Sequence, residues 1–107
     1  MENVDKALAE LIKTVKESND YKKCLSIKKR MNENAELMDL IENIKSLQKK
    51  YIRSNYAPEI KKELDQETKK LESIPIYIEY EKYLALVNTK IEYIKDWLNN
   101  YFNNILN

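Results

Sequence analysis

From Pro75 to Leu106 one pattern repeats without a break. Its apolar positions are Tyr77, Tyr80, Leu84, Val87, Ile91, Ile94, Leu98, Tyr101 and Ile105, separated by steps that alternate between 3 and 4. That is the a/d rhythm of a heptad, held for about four repeats, and it draws a packing seam along one side of a helix. Tyr83, Trp97 and Phe102 flank the seam and widen it, and no proline or glycine follows Pro75. At 1.5 Å per residue such a helix is roughly 45 Å long. One helix has nothing to bury so long a stripe against. The rest of the chain is therefore expected as shorter helices laid along it, with a second copy of the protein covering what remains.

Composition points the same way. The chain has 107 residues, two prolines and no glycine. Tight strand-to-strand turns draw on glycine for positive φ, so its absence argues for an all-α fold. The length suits one domain over residues 1–107, near the size at which oligomerisation adds useful burial. Charged residues make up 35% of the chain and are dispersed, as on solvated helix faces. The net charge is +1, with twelve basic against nine acidic residues in 1–53 and seven against nine in 54–107. This asymmetry is too small to imply nucleic-acid binding. Cys24 has no partner for an internal disulfide, which fits a reducing cytoplasm. The opening residues do not form a signal peptide, and no apolar run approaches the roughly 18 residues that span a bilayer.

The spacing predicts five helices, over about 3–17, 19–31, 35–53, 58–72 and 75–106. Asn3 caps the first, in which Val4, Leu8, Leu11 and Val15 share a face. Ser18 caps the second, whose apolar side is thin (Tyr21, Cys24, Leu25, Ile27, Met31) and whose other side is basic, with Lys22, Lys23, Lys28, Lys29 and Arg30. Asn34 caps the third, where Leu37, Ile41, Ile44, Gln48 and Tyr51 keep the 4, 3, 4, 3 rhythm and Leu40 and Leu47 broaden it. Gln48 thus falls on a seam position, as a register-fixing or wet-edge residue or as a partner contact. Pro58 opens the fourth helix, the most polar one, with Ile60, Leu64 and Leu71 as anchors. Ser73 is expected to cap the fifth. Together these make a five-helix antiparallel arrangement, with the third helix against the long last one.

Side chains for catalysis are scarce. Without histidine there is no Ser-His or Cys-His pair and no imidazole metal ligand. Without glycine there is no phosphate-cradling loop of the Walker or dinucleotide type. Glu36, Asp39 and Glu42, and also Glu63 and Glu67, cluster on polar helix faces without the inward Glu-x-x-His pattern of dimetal sites. The tyrosines at 77, 80, 83, 93 and 101 share their helix with Glu79, Glu81, Glu92 and Asp96, so seam packing is preferred to base stacking. Cys24 reads as a small buried residue in preference to a redox-active one.

Ser18-Asn19-Asp20-Tyr21, then Asn34 followed by Leu37 and Ile41, then Gln48, resembles the first half of the YlbF/YmcA family of small helical proteins of Gram-positive bacteria. Leu71, Pro75 and Tyr80, opening a long amphipathic helix, resemble its closing segment. The resemblance covers nearly the whole chain. It implies an all-α, antiparallel helical domain that dimerises and has no catalytic activity. Members of the family act as regulators of competence, sporulation and biofilm formation. The best-understood ones form a complex that works with the endoribonuclease RNase Y in mRNA processing and carries iron–sulfur clusters. Cys24 does not match the cysteine-bearing C-terminal extension of those members. The chain therefore resembles the short, YheA-like members, and no cofactor is expected.

The resulting expectation is a non-enzymatic, cytoplasmic regulator or adaptor that works by helix-surface protein contacts. Its partners are a second copy of itself and, by the resemblance, other family members or RNase Y. The core and dimer seam is assigned to Tyr77, Tyr80, Leu84, Val87, Ile91, Ile94 and Leu98 with Leu37, Ile41 and Ile44. Partner contacts are assigned to Gln48, Tyr21, Lys28, Lys29 and Arg30. The alternative is RNA binding through the basic second and third helices, including Lys45, Lys49, Lys50 and Arg53. A carboxylate enzyme site and a membrane contact through Trp97, Tyr101 and Phe102 are the less favoured readings.

Overall fold

The computed structural model describes residues 2–106. Among them are five α-helices and no strand: α1 Glu2–Glu17, α2 Asn19–Asn32, α3 Ala35–Arg53, α4 Pro58–Glu72 and α5 Pro75–Leu106. Met1 and Asn107, the ends of the expected domain, lie outside the described residues.

Local chemistry accounts for most helix ends. Ser18 Oγ accepts the Tyr21 amide at 3.3 Å, and Asn34 Oδ1 accepts the Leu37 amide at 3.1 Å. Each satisfies an amide that the first helical turn leaves without an internal partner. α4 opens on Pro58, where the absent N–H costs no hydrogen bond, and Ala57 supplies no side-chain cap. Two expected caps are corrected. α1 already begins at Glu2, so Asn3 lies inside the helix. The Ser73 hydroxyl donates to the Lys70 carbonyl at 2.7 Å, so it closes α4, while Ile74 O accepts the Tyr77 and Ile78 amides that open α5. A serine between two helices has acceptors behind it as well as donors ahead, and here the backward bond wins.

The α3 to α4 loop solves a reversal without glycine. The Tyr56 amide donates to Tyr51 O at 2.9 Å and the Asn55 amide to Ile52 O at 3.2 Å. This nested pair is the Schellman arrangement, with Asn55 (φ 57°) in the left-handed position that glycine usually takes. Tyr56 is also left-handed (φ 66°), and its ring meets that of Tyr51 edge-on at 5.3 Å. That ring contact is the apolar closure that accompanies the motif.

The chain divides into two compact units, one of residues 1–26 and 81–107, the other of 27–80, so both boundaries fall inside helices, α2 and α5. In the first unit Val4, Cys24 and Val87 are buried, with Leu8, Leu11, Val15, Leu84, Ile94 and Leu98 half-buried. In the second, α3 packs against α4, and Ile27, Met31, Leu37, Ile44, Leu47 and Leu71 are buried. Full burial of such side chains stabilises the fold by roughly 1.5–3 kcal/mol each. The buried stripe of α3 runs through Leu47 and leaves Gln48 exposed, at its wet edge.

Candidate functional site

The first unit carries two adjoining clefts between α1 and α5. One, of about 310 Å³, is walled by Leu11, Thr14 and Val15 of α1 and by Thr89, Lys90, Tyr93 and Ile94 of α5, with Ser18 at its end. The other, of about 250 Å³, is lined by Ile12, Val15, Lys16, Tyr21, Val87, Ile91 and Ile94. They share Val15 and Ile94 as a common wall. At their edges Tyr93 is 66% exposed and Ile91 39%. Elsewhere on α5, Leu86, Phe102, Ile105 and Leu106 are exposed too.

Ile91 borders the second cleft with Val87 and Ile94 on the exposed side of the seam. Lys90, one residue earlier, is half-buried. Lys90 Nζ donates to Asp20 Oδ2 at 2.8 Å, which satisfies the charge on that side. Of the other assigned seam positions, Tyr77, Tyr80, Leu84, Ile94 and Leu98 are half-buried and Val87 is buried. Near the end of α5, Trp97 stacks on Tyr101 at 5.9 Å, and Tyr101 meets Phe102 edge-on at 5.7 Å.

The second unit has a cleft of about 260 Å³. Lys28, Met31 and Asn32 of α2, Met38, Ile41 and Lys45 of α3, Leu71 of α4, and Tyr77 and Tyr80 of α5 line it. No Asp or Glu is among these lining residues.

The residues assigned to partner contact are divided between the two units, Tyr21 in the first and Lys28, Lys29, Arg30 and Gln48 in the second. Tyr21 lines a cleft of the first unit, and Lys28 lines the cleft of the second. Lys29 is exposed outside both, and Arg30 faces Glu79 at 3.6 Å. Lys23 lies over the Tyr83 ring at 5.6 Å, a cation–π contact within the first unit that sequence spacing does not signal. The carboxylates Glu36, Asp39, Glu42 and Glu63 are exposed, and Glu67 pairs with Lys70 at 3.0 Å. Among the described residues no group of three or more His, Cys, Asp or Glu is placed to hold a metal ion, and no helix is long and apolar enough to cross a membrane.

These features describe a small all-helical protein whose principal surface features are shallow, mostly apolar clefts. The model of the family described as control of competence regulator ComK, YlbF/YmcA, matches residues 4–101, and the chain belongs to that family. Membership relates it to competence regulation. No curated protein and no solved structure matches the chain.

Proposed function

We propose that this chain is a non-enzymatic regulator or adaptor of the cytoplasm that acts through contacts of its helix surfaces with protein partners, first among them a second copy of itself. The observation that carries this reading is the apolar margin of the α1–α5 clefts, where Ile12, Ile91 and Tyr93 stand exposed beside the half-buried Val15 and Ile94. A contiguous apolar rim of this kind is what a protein partner covers. Family membership supports a regulatory task, and extending the reading to RNase Y-linked mRNA processing rests on the family resemblance. The RNA-binding alternative has less support, because the net charge of the chain is only +1.

The test joins sedimentation of the purified chain to affinity capture of the tagged chain from its host, with mass spectrometry of what is retained. A dimer, together with RNase Y or other family members, is the expected result. A chain that stays monomeric at high concentration and retains no protein overturns the reading.

A further inference from the structure

The cleft of the second unit differs in chemistry from the apolar rim of the first. Its floor is Met31, Met38, Ile41 and Leu71, and its edge carries Lys28 and Lys45. Glu79 pairs with Arg30, and Glu42 with the rim residue Lys45. The second of these is an exposed i,i+3 pair, which contributes little and yields readily to another carboxylate. The lining itself thus carries two ammonium groups and no carboxylate beside an apolar floor. Its volume of about 260 Å³ lies below the roughly 300–1,000 Å³ of pockets that enclose a whole small-molecule ligand, and suits one or two anchoring side chains. Two methionines let the floor adapt to an anchor's shape.

We propose that this cleft docks an acidic segment of a protein partner. One Leu, Ile, Met or Phe of the segment seats on Met31, Met38, Ile41 and Leu71, and Asp or Glu beside that anchor meets Lys28 and Lys45. The charge on the rim selects the acidic sequence, and the floor supplies the anchorage. The inference rests on the protein-contact reading above and gives it a partner chemistry.

The experiment selects short peptides from a random library on the full-length chain and follows their binding by amide NMR shifts. Three proteins are compared: the wild type, Lys28→Gln with Lys45→Gln, and Lys49→Gln with Lys50→Gln as an exposed control outside the cleft. The expected result is enrichment of Asp or Glu around an apolar anchor, with shifts at residues 28–32, 38–45 and 77–80. Affinity falls about tenfold in the first variant and holds in the control. Failure to enrich any peptide, enrichment of basic or neutral ones, or binding that ignores Lys28 and Lys45 overturns the proposal. So does octanoate producing the same shifts with equal or better affinity, since the occupant is then a small amphiphile. If partners captured from the host still bind the Lys28→Gln, Lys45→Gln variant undiminished, the adaptor reading stands and this docking site falls. Capture of none removes the adaptor reading itself.

Discussion

Lys90 and Asp20 lie seventy residues apart in the chain, yet the Lys90 ammonium donates to the Asp20 carboxylate at 2.8 Å. The bond joins α5 to the first turn of α2, where a carboxylate already complements the helix dipole. Both side chains are partly covered, 38% and 29% exposed, so solvent screens this pair less than it screens Lys95–Glu92, whose partners are 63% and 64% exposed.

A double-mutant cycle with Lys90→Met and Asp20→Asn is expected to return a coupling of about 0.5–1 kcal/mol, shrinking at high salt. The same cycle on Lys95 and Glu92 is expected to return at most a few tenths of a kcal/mol. Urea unfolding of the four proteins in each cycle makes the comparison, and equal couplings would remove the distinction drawn here.

Asn55 occupies a left-handed position in a chain that has no glycine. Asn55→Ala places a Cβ with no compensating polar group there and is expected to lower stability by about 1 kcal/mol. Asn55→Gly keeps the Schellman bonds and relieves the conformational cost, so its stability should match or slightly exceed the wild type. A chemical-denaturation midpoint for the glycine variant clearly below that of the alanine variant contradicts this account of the loop.

The two cap residues between helices separate cleanly by experiment. Asn34→Ala removes the acceptor for the Leu37 amide and is expected to cost about 1 kcal/mol, with faster hydrogen exchange at Leu37. Ser73→Ala removes an exposed donor to the Lys70 carbonyl and leaves the start of α5 intact, so exchange at Tyr77 should hold. Exchange at Tyr77 that quickens as much as at Leu37 would restore Ser73 to the head of α5.

Much of this architecture is legible in the residues. Asn34, Pro58 and Pro75 mark helix starts, Asn34 by a side-chain acceptor for a first-turn amide and the prolines by a missing N–H that costs nothing there. Ser73 does not, since its hydroxyl serves either neighbour. The heptad count places Ile91 and Gln48 on seams, whereas within a single chain both are exposed and their predecessors Lys90 and Leu47 are half-buried and buried, because the spacing tells which residues share a face and not how wide a face the neighbouring helices cover. The division into two units escapes sequence reading because its boundaries, after Ser26 and after Tyr80, fall inside continuous helices without a change of composition. The clefts escape it too. The run of Lys28, Lys29 and Arg30 looks uniform on paper, yet in space Arg30 pairs with Glu79 and Lys28 edges a cleft with Met38, Lys45 and Leu71, drawn from two other helices.

Val87 and Ile91 are neighbours on one heptad seam with different surroundings, and they separate folding from self-association. Val87 is 5% exposed within a single chain, and Val87→Asp puts an unpaired charge into an apolar environment. That costs several kcal/mol, against a total stability of about 5–15 kcal/mol for a domain, so the far-UV helical signal should collapse or melt well below the wild type. Leu84, half-buried, should respond in the same direction and less severely as Leu84→Asp. Ile91 is 39% exposed and borders the α1–α5 cleft. Ile91→Asp leaves its carboxylate in reach of water, so the helical signal should persist while the dimer proposed above dissociates in sedimentation. An Ile91→Asp variant that sediments as the wild type does, with an unchanged melting temperature, would remove this margin as the surface of the proposed self-association.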